Sequence, residues 1–134
     1  MPAKAASRIY GYRNKMEFTC SDRPWIMDGP GPENPDAFAV GLHVPRRFDK
    51  ILDIEACLLQ SPGANRLLAF CRTAMAASGL KPYNLKNHSG FWRFLIIREG
   101  MRTGQMMLHI ITSGSEPKRG KECMDGMAVS LLRD

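Results

Sequence analysis

The most restrictive feature of this sequence is a pair of apolar segments joined by a short glycine-containing connection. The first segment, 91–98, reads FWRFLIIR, and the second, 105–112, reads QMMLHIIT. Both are rich in aromatic and branched side chains, which are favoured in β-strands. The connecting residues, EGMRTG, contain two glycines and are typical of a hairpin. We therefore predict an antiparallel hairpin over residues 91–112, around which the rest of the chain must fold.

Three further strands are predicted before this hairpin. Residues 9–20 alternate in polarity, as a half-buried antiparallel strand does. One face of this strand carries Tyr12, Asn14, Met16, Phe18 and Cys20. A second strand is predicted at 37–44 and a short third strand at 50–54. Residues 21–36 contain four prolines and two glycines, so we predict a long irregular loop there.

Two amphipathic helices complete the pattern. Ser61 can cap the first helix and Pro62 suits its first turn, while Gly79 fits the position just beyond its end. Its apolar stripe is Ala64, Leu67, Leu68, Cys71 and Met75. Ser115 is the predicted cap of a second helix. The apolar positions of that helix are Met124, Met127, Ala128, Leu131 and Leu132.

The resulting order, β-β-β-α-β-β-α, predicts an α+β fold with two layers, a mainly antiparallel sheet and helices on one face. The 134 residues suffice for a single domain spanning 1–134. Composition is ordinary for a soluble protein, with 44% apolar and 24% charged residues. Neither a signal peptide nor a bilayer-spanning run is recognisable, so a cytoplasmic location is the expectation. The pattern runs close to both ends, as expected of a domain excised from a larger protein.

The positive charge of the chain is unevenly distributed. The net charge is +6, and the stretch from Arg66 to Arg102 contains seven basic residues against one acid, Glu99. A basic face of this kind suits the phosphates of a nucleic acid. An ordinary solvated surface explains the same count equally well, so composition by itself leaves both interpretations open.

No catalytic constellation is recognisable. The glycines at 29–32 follow no predicted strand, so they do not form the turn that a doubly wound cofactor-binding sheet requires. His43 and His109 lie in predicted strands and His88 lies in a predicted turn, where structural roles are the commoner ones. Four cysteines occur without CxxC spacing, which favours small buried hydrophobes in a reducing compartment. We therefore predict no catalytic residue in this chain.

Six blocks of sequence, in order and with consistent spacing, carry a family resemblance across about residues 9–112. They are YGYRNKMEF (10–18), GLHVPRRFD (41–49), ILDIEACLL (51–59), LKPY (80–83), GFWRFLIIREG (90–100) and TGQMM (103–107). Together they resemble the central domain of the RNA uracil-5-methyltransferases, which methylate carbon 5 of uridine in ribosomal or transfer RNA.

The resemblance implies an S-adenosylmethionine-dependent transferase of three domains. Members of the family usually join an N-terminal RNA-binding domain, this central domain and a C-terminal Rossmann-like methyltransferase domain. The catalytic and cofactor-binding motifs belong to the last of these and are absent here. The expected partners are RNA and the other two domains of the parent protein, and this fragment by itself is expected to hold no cofactor. We also expect an apolar patch on the first strand and last helix, through which the isolated fragment could form a homodimer.

The resemblance also implies RNA-binding residues. Family members place RNA-contacting basic residues in the segment that contains Arg13 and Lys15, which we expect to share one side of the first strand. Arg93 is a third candidate. It ranks lower because it falls on the predicted face of Leu95 and Ile97 and could be a local pairing residue. The alternative for Arg13 and Lys15 is that they merely solvate the strand.

Cys57 occupies the position of an iron–sulfur ligand in the resembling family. Many bacterial members hold a four-iron four-sulfur cluster with three closely spaced upstream cysteines and a fourth that matches Cys57. The upstream three are absent here, so Cys57 is expected to be a ligand in the parent protein only. On packing grounds alone it would be a buried structural thiol.

Two functions of different class follow from the sequence. In the first, the chain is the central domain of a methyltransferase, which docks RNA and supports an absent catalytic domain. In the second, it is a freestanding small RNA-binding or scaffolding protein with no catalytic activity. A glycine-rich strand–turn–helix encoded just past Asp134 would favour the first, and a stop codon there would favour the second.

Overall fold

The structure, a computed structural model, describes residues 2–25 and 37–133. Its elements are strands β1 (Lys15–Ser21), β2 (Ala39–Val44) and β3 (Arg47–Asp53), helix α1 (Pro62–Ala77), strands β4 (Trp92–Glu99) and β5 (Met106–Thr112), and helix α2 (Pro117–Leu131). The predicted order of elements is therefore confirmed. Most of the loop predicted at 21–36, including the glycines at 29–32, lies outside the described residues. None of the described helices is long and apolar enough to cross a lipid bilayer.

All five strands form one antiparallel sheet in the order β3-β2-β1-β4-β5. The first strand in sequence thus lies at the centre, between β2 and β4. The predicted hairpin is the β4–β5 pair, whose register runs from Trp92 opposite Thr112 to Glu99 opposite Met106. This topology brings β1 against β4, so residues far apart in sequence become cross-strand neighbours.

The sheet has one covered face and one open face. Directly opposed residues of antiparallel strands share a face, and Phe18 opposite Leu95 belongs to the covered one. The main members of the core there are Met16, Phe18, Cys20, Val40, Leu68, Cys71, Met75, Trp92, Leu95, Ile97 and Met127. Because this cluster includes buried residues of both α1 and α2, both helices lie on that side, as predicted. The open face carries Lys15, Glu17, Thr19, His43, Phe94, Ile96, Arg98, Met107, His109 and Ile111.

Helix α1 forms as its sequence predicts. The Ser61 hydroxyl accepts the backbone N–H of Ala64 at 3.1 Å, and Pro62 occupies the first turn. The helix ends before Gly79, whose φ of +69° places it in the left-handed region that glycine tolerates best. Leu68, in the predicted stripe, is fully buried. This helix therefore packs directly on the covered face of the sheet.

The predicted first strand is too long. β1 begins at Lys15, not at residue 9, because Gly11 adopts a φ of +60° and interrupts an extended conformation. The Gly11 and Arg13 N–H groups instead donate to the carbonyls of Leu58 and Leu59, at 2.9 and 2.8 Å. Tyr12, predicted to face the core, is half exposed at 51%.

Helix α2 also departs from prediction, at both ends. Its N-cap is Glu116, whose side chain makes no capping hydrogen bond. The Ser115 hydroxyl instead donates to the carbonyl of Gly90 at 3.1 Å, which ties the start of α2 to the strand layer. Met127 is buried, but Leu132 is 87% exposed. The predicted apolar stripe therefore contacts the core over only part of its length.

Candidate nucleic-acid interface

The structure separates Arg13 and Lys15, which the sequence placed on one side of a strand. Arg13 precedes β1, and its guanidinium lies 4.0 Å from the sulfur of Met16, a residue of the covered face. Lys15 lies on the open face. The two cations therefore diverge because β1 starts after Arg13, and the prediction that they share one side is wrong.

Lys15 has a cationic neighbour that sequence reasoning missed. Arg98 on β4 is its direct cross-strand partner, and both residues are exposed. The Lys15 ammonium also lies 3.8 Å from the Glu17 carboxylate, a long and solvent-screened ion pair. Two like charges placed opposite each other destabilise a sheet slightly, and a bound phosphate would relieve that repulsion. Only the β1–β4 register reveals this pair.

Arg93 lies at a β-bulge. The β4–β5 register shifts between Trp92 and Phe94, so the alternation that would have put Arg93 on the face of Leu95 is broken. Its guanidinium carbon instead lies 4.4 Å from the centre of the Tyr83 ring and 5.7 Å from that of Phe94. The predicted face of Arg93 is therefore wrong, and the residue belongs with the open-face aromatic side chains.

A pocket of about 490 Å³, counted with the solvent at its mouth, lies beside Arg93. It is bounded by the open-face ends of β1, β2 and β4, by the start of β3, and by the loop around residues 83–86. Its lining includes Thr19, His43, Phe48, Asp49, Tyr83, Leu85, Lys86, Arg93 and Phe94. The free space within the pocket itself is only about 50 Å³, so it can receive the edge of a planar group at the surface but cannot enclose a small organic ligand.

Polar contacts fix the walls of this pocket. The Thr19 hydroxyl and the His43 Nε2 are 3.2 Å apart, and the Tyr83 hydroxyl lies 3.1 Å from the Nδ1 of His88. Although partial desolvation acts the other way, a backbone hydrogen bond and the nearby Lys86 ammonium hold the pKa of Asp49 below its ordinary value. The carboxylate of Asp49 is therefore ionised at neutral pH.

The histidines take the structural roles predicted for them only in part. His43 and His88 each have a hydrogen-bond partner, and His88 has a φ of +57°, in keeping with the predicted turn. His109 is exposed on the open face opposite Ile96. Among the described residues, two hydroxyl groups lie within hydrogen-bond distance of a histidine: Thr19 beside His43 and Tyr83 beside His88. Neither contact is part of a catalytic triad.

The four cysteines fall into two environments. Burial, with the nearby Cys71 as a smaller cause, raises the pKa of Cys20 from 9.0 to about 12, and burial raises the pKa of Cys71 to about 12. Burial also raises the pKa of Cys123, although a hydrogen bond with Ser78 acts to lower it. Cys57 lies half-buried between β3 and α1. The thiolate form binds metals, so Cys20 and Cys71 are unsuited to that role.

The surroundings of Cys57 are well ordered by hydrogen bonds. The Asn65 side chain of α1 accepts the Cys57 N–H at 2.8 Å and donates to the Cys57 carbonyl at 3.1 Å. An iron–sulfur cluster needs four ligands at fixed geometry. Across residues 2–25 and 37–133, no three His, Cys, Asp or Glu side chains gather closely enough to hold a metal. This part of the chain therefore does not fit such a cluster by its own residues.

The strand-to-helix connections of this chain are poor in glycine. A nucleotide cofactor takes a glycine-rich turn that leads from a strand into a helix. The two connections of this kind, 54–61 and 113–116, contain one glycine between them. Neither connection therefore has the glycine-rich turn that binds a nucleotide cofactor on a doubly wound sheet.

Two bacterial relatives match most of the chain. It is 38% identical over 116 residues to an uncharacterized RNA methyltransferase of Chlorobaculum tepidum, covering 84% of this chain and 24% of the relative. It is 34% identical over 118 residues to an uncharacterized RNA methyltransferase of Bacteroides thetaiotaomicron, covering 86% of this chain and 26% of the relative. The chain therefore spans about a quarter of the length of the curated relatives that it matches.

The fold also matches a solved structure. The crystal structure of Pyrococcus abyssi tRNA (uracil-54, C5)-methyltransferase in complex with S-adenosyl-L-homocysteine superposes with a TM-score of 0.61. The match covers 86% of this chain and 25% of that protein, at 21% sequence identity. At this identity the likeness concerns the fold. No protein-family profile matches the sequence.

Proposed function

The chain belongs to the RNA methyltransferase family, where it matches the central domain, and on that premise we propose that it is the central domain of a uracil-5-methyltransferase. Its task there is to dock RNA and to support a catalytic domain that lies elsewhere in the protein. The methyl group comes from S-adenosylmethionine bound by that other domain. The observation that carries the proposal is the homology over 84% of the chain to a protein named RNA methyltransferase.

The open face of the sheet is the surface we assign to RNA docking. Both described helices pack on the other side, so neither of them covers the open face. At one end of it Lys15 and Arg98 form the cross-strand cation pair, and at the other end Arg93 stacks on Tyr83. Lysine and arginine bind phosphates chiefly through charge and hydrogen bonds. Arg13 remains a candidate contact from the covered side, at the edge of the same domain.

Cys57 is proposed to be the one thiolate that this domain contributes to a four-iron four-sulfur cluster in the full-length protein. Its supporting observations are a half-buried position on a loop and a backbone held by Asn65. The segment through Gly11 is also hydrogen-bonded to the residues that follow Cys57. A chain that enters through Gly11 would pass close to Cys57, within reach of further cysteine ligands.

The cluster assignment is tested by spectroscopy on the anaerobically purified full-length protein. Cys57→Ser should abolish the visible absorbance of the cluster, whereas Cys123→Ser should leave it intact. The opposite pattern would show that Cys57 is not the ligand. Iron and sulfide bound stoichiometrically by the 134-residue chain alone would contradict the claim that this domain supplies only one ligand.

The central proposal is tested first at the level of the gene. The coding sequence past Asp134 should encode a glycine-rich strand–turn–helix, and the full-length cytoplasmic protein should methylate RNA. Methylation at carbon 5 replaces a hydrogen, so RNA that carries tritium at that carbon of uridine should release tritium when S-adenosylmethionine is supplied. A stop codon at that point, together with RNA binding by the chain, would instead support the freestanding RNA-binding protein.

A further inference from the structure

The Arg93 side chain is held in place by aromatic rings. Its guanidinium carbon lies over the Tyr83 ring, 4.4 Å from the ring centre, and 5.7 Å from the centre of the Phe94 ring. Its Nε atom is buried and has no hydrogen-bond partner among the described residues. Stacking fixes the plane of an arginine and leaves its N–H edges available for a planar acceptor. Because the Nε is buried, a ligand with hydrogen-bond acceptors would bind Arg93 through the terminal Nη groups.

The pocket beside Arg93 also presents an aromatic surface to solvent. Phe48 lines it and is 71% exposed, so its ring is available to a ligand. Leu85, on the facing loop, is also exposed. Exposed aromatic rings next to basic groups are how proteins receive unstacked bases of single-stranded RNA.

The charges around the pocket favour an anionic ligand. Two of its acids are already paired, since Asp49 lies 3.5 Å from the Lys86 ammonium and Asp22 lies 3.9 Å from the Arg23 guanidinium. Arg93 has no carboxylate within ion-pair distance among the described residues. Among the described residues, the pocket therefore keeps one cation without a compensating charge. A protein segment of purely apolar character would leave that cation buried and unpaired.

We propose that this pocket binds one unstacked nucleotide of single-stranded RNA. The base stacks against Phe48, and Arg93 donates to acceptors on the base edge or its phosphate. This inference rests on the proposed function, because it names the part of the RNA that the open face receives. β1 runs from Lys15, in the cation pair, to Thr19, in the pocket lining. At about 3.3 Å per residue these positions are roughly 13 Å apart, so one short strand of RNA can reach both.

The experiment is fluorescence anisotropy of the 134-residue chain with a labelled single-stranded RNA. A scan with one abasic site removes each base in turn while keeping every phosphate. At one position the abasic substitution should weaken binding roughly tenfold, the loss expected for one base stacked on an aromatic ring. Phe48→Ala should cause the same loss with intact RNA, and combining it with that abasic RNA should cause no further loss.

Two matched variants separate stacking from charge and from misfolding. Arg93→Lys keeps the charge but loses the planar guanidinium edges. It should therefore weaken the binding of intact RNA more than the binding of RNA that is abasic at the sensitive position. Leu132→Ala removes an 87% exposed apolar side chain on the helix layer and should leave binding unchanged. Circular dichroism should show the native spectrum for all variants, because Phe48 lies outside the core.

The outcomes distinguish this inference from the function on which it rests. If Lys15→Ala with Arg98→Ala weakens RNA binding but Phe48→Ala and the abasic scan have no effect, the pocket does not take a nucleotide and the docking face stands. That result would point to a protein segment as the occupant. If no single-stranded RNA binds to the chain at low salt, both the pocket and the docking role fail.

Discussion

Lys15 and Arg98 are direct cross-strand partners on β1 and β4, with both side chains exposed on the open face. Eighty-three positions separate them in sequence (98 − 15). Their repulsion is partly offset by Glu17, whose carboxylate lies 3.8 Å from the Lys15 ammonium. In an exposed position such an ion pair contributes little stability, so the cation pair is better suited to ligand binding than to folding.

Replacing both cations should weaken RNA binding in a salt-dependent way. Lys15→Ala with Arg98→Ala removes two phosphate contacts, so the slope of log K against log salt should become shallower by about 1.4 for single-stranded RNA. Lys118→Ala, an exposed lysine on α2, is the control and should leave the slope unchanged. Anisotropy titrations at several salt concentrations measure both. Equal slopes for the double variant and the parent chain would refute the docking role of this pair.

Two glycines of α2 should respond in opposite directions to alanine. At Gly120 a new Cβ would lie 2.1 Å from the Phe91 ring, so Gly120→Ala should destabilise the fold by about 1–3 kcal/mol through overpacking. At Gly126 a Cβ would have no neighbour within 4 Å, so Gly126→Ala should stabilise by up to about 1 kcal/mol through helix propensity. Urea unfolding measures the free energies. Equal effects at the two positions would mean that α2 does not pack on Phe91.

Loss of the α1 cap should cost a moderate amount of stability. The Ser61 hydroxyl accepts the Ala64 N–H, and Ser61→Ala leaves that donor without a side-chain partner. We expect a loss of about 0.5–2 kcal/mol in the free energy of unfolding. Ser130→Ala, which removes an exposed hydroxyl bonded to the Gly126 carbonyl, should change it by less than about 0.5 kcal/mol. Thermal or urea unfolding of the pair of variants is the measurement.

The buried thiols should make stability fall at alkaline pH. Burial raises the pKa of Cys20 and of Cys71 from 9.0 to about 12. A folded-state pKa above the unfolded one means that the contribution is fully present below pH 9 and is lost as the pH rises toward 12. Urea midpoints should therefore decline over this window. In Cys71→Ala the urea midpoint, measured relative to the value of that variant at pH 8, should decline less than in the parent chain. An equal decline in both would contradict the raised pKa of Cys71.

The same burial predicts which thiols react. Thiolates, not thiols, are alkylated, so Cys20 and Cys71 should resist iodoacetamide at pH 8 until the chain is unfolded, whereas the half-buried Cys57 should be labelled in the native state. Peptide mass spectrometry gives the order of labelling. Rapid native labelling of Cys71 would show that its surroundings on α1 are more accessible than the core packing implies.

The isolated chain should neither bind S-adenosylmethionine nor transfer a methyl group. The reason is that neither strand-to-helix connection has a glycine-rich turn, which a nucleotide cofactor on a doubly wound sheet requires. Calorimetric titration with the cofactor should give no heat of binding. Micromolar affinity in that titration would show that the domain holds a cofactor site of another kind.

The sequence by itself determined the elements whose signals are local. The β4–β5 hairpin follows from two strand-forming segments around a glycine-containing turn, and the start of α1 follows from Ser61 and Pro62, because turn and cap preferences act over a few residues. The alternation from Met16 to Cys20 likewise predicted the covered face of β1 correctly. The family resemblance, carried by blocks of sequence, also needed no coordinates.

Tertiary structure alone decided how those elements make a site. Arg98 faces Lys15 only because β1 inserts beside β4, and that register depends on contacts across the whole sheet. The bulge after Trp92 reversed the expected face of Arg93, since one extra residue shifts the alternation of a strand. At the N-terminus, backbone hydrogen bonds from Gly11 and Arg13 to the loop after Cys57 outweighed an alternating pattern that local sequence favoured. Such long-range pairings have no signature within a short window of sequence, which is why the open face and its pocket could be located only in the folded chain.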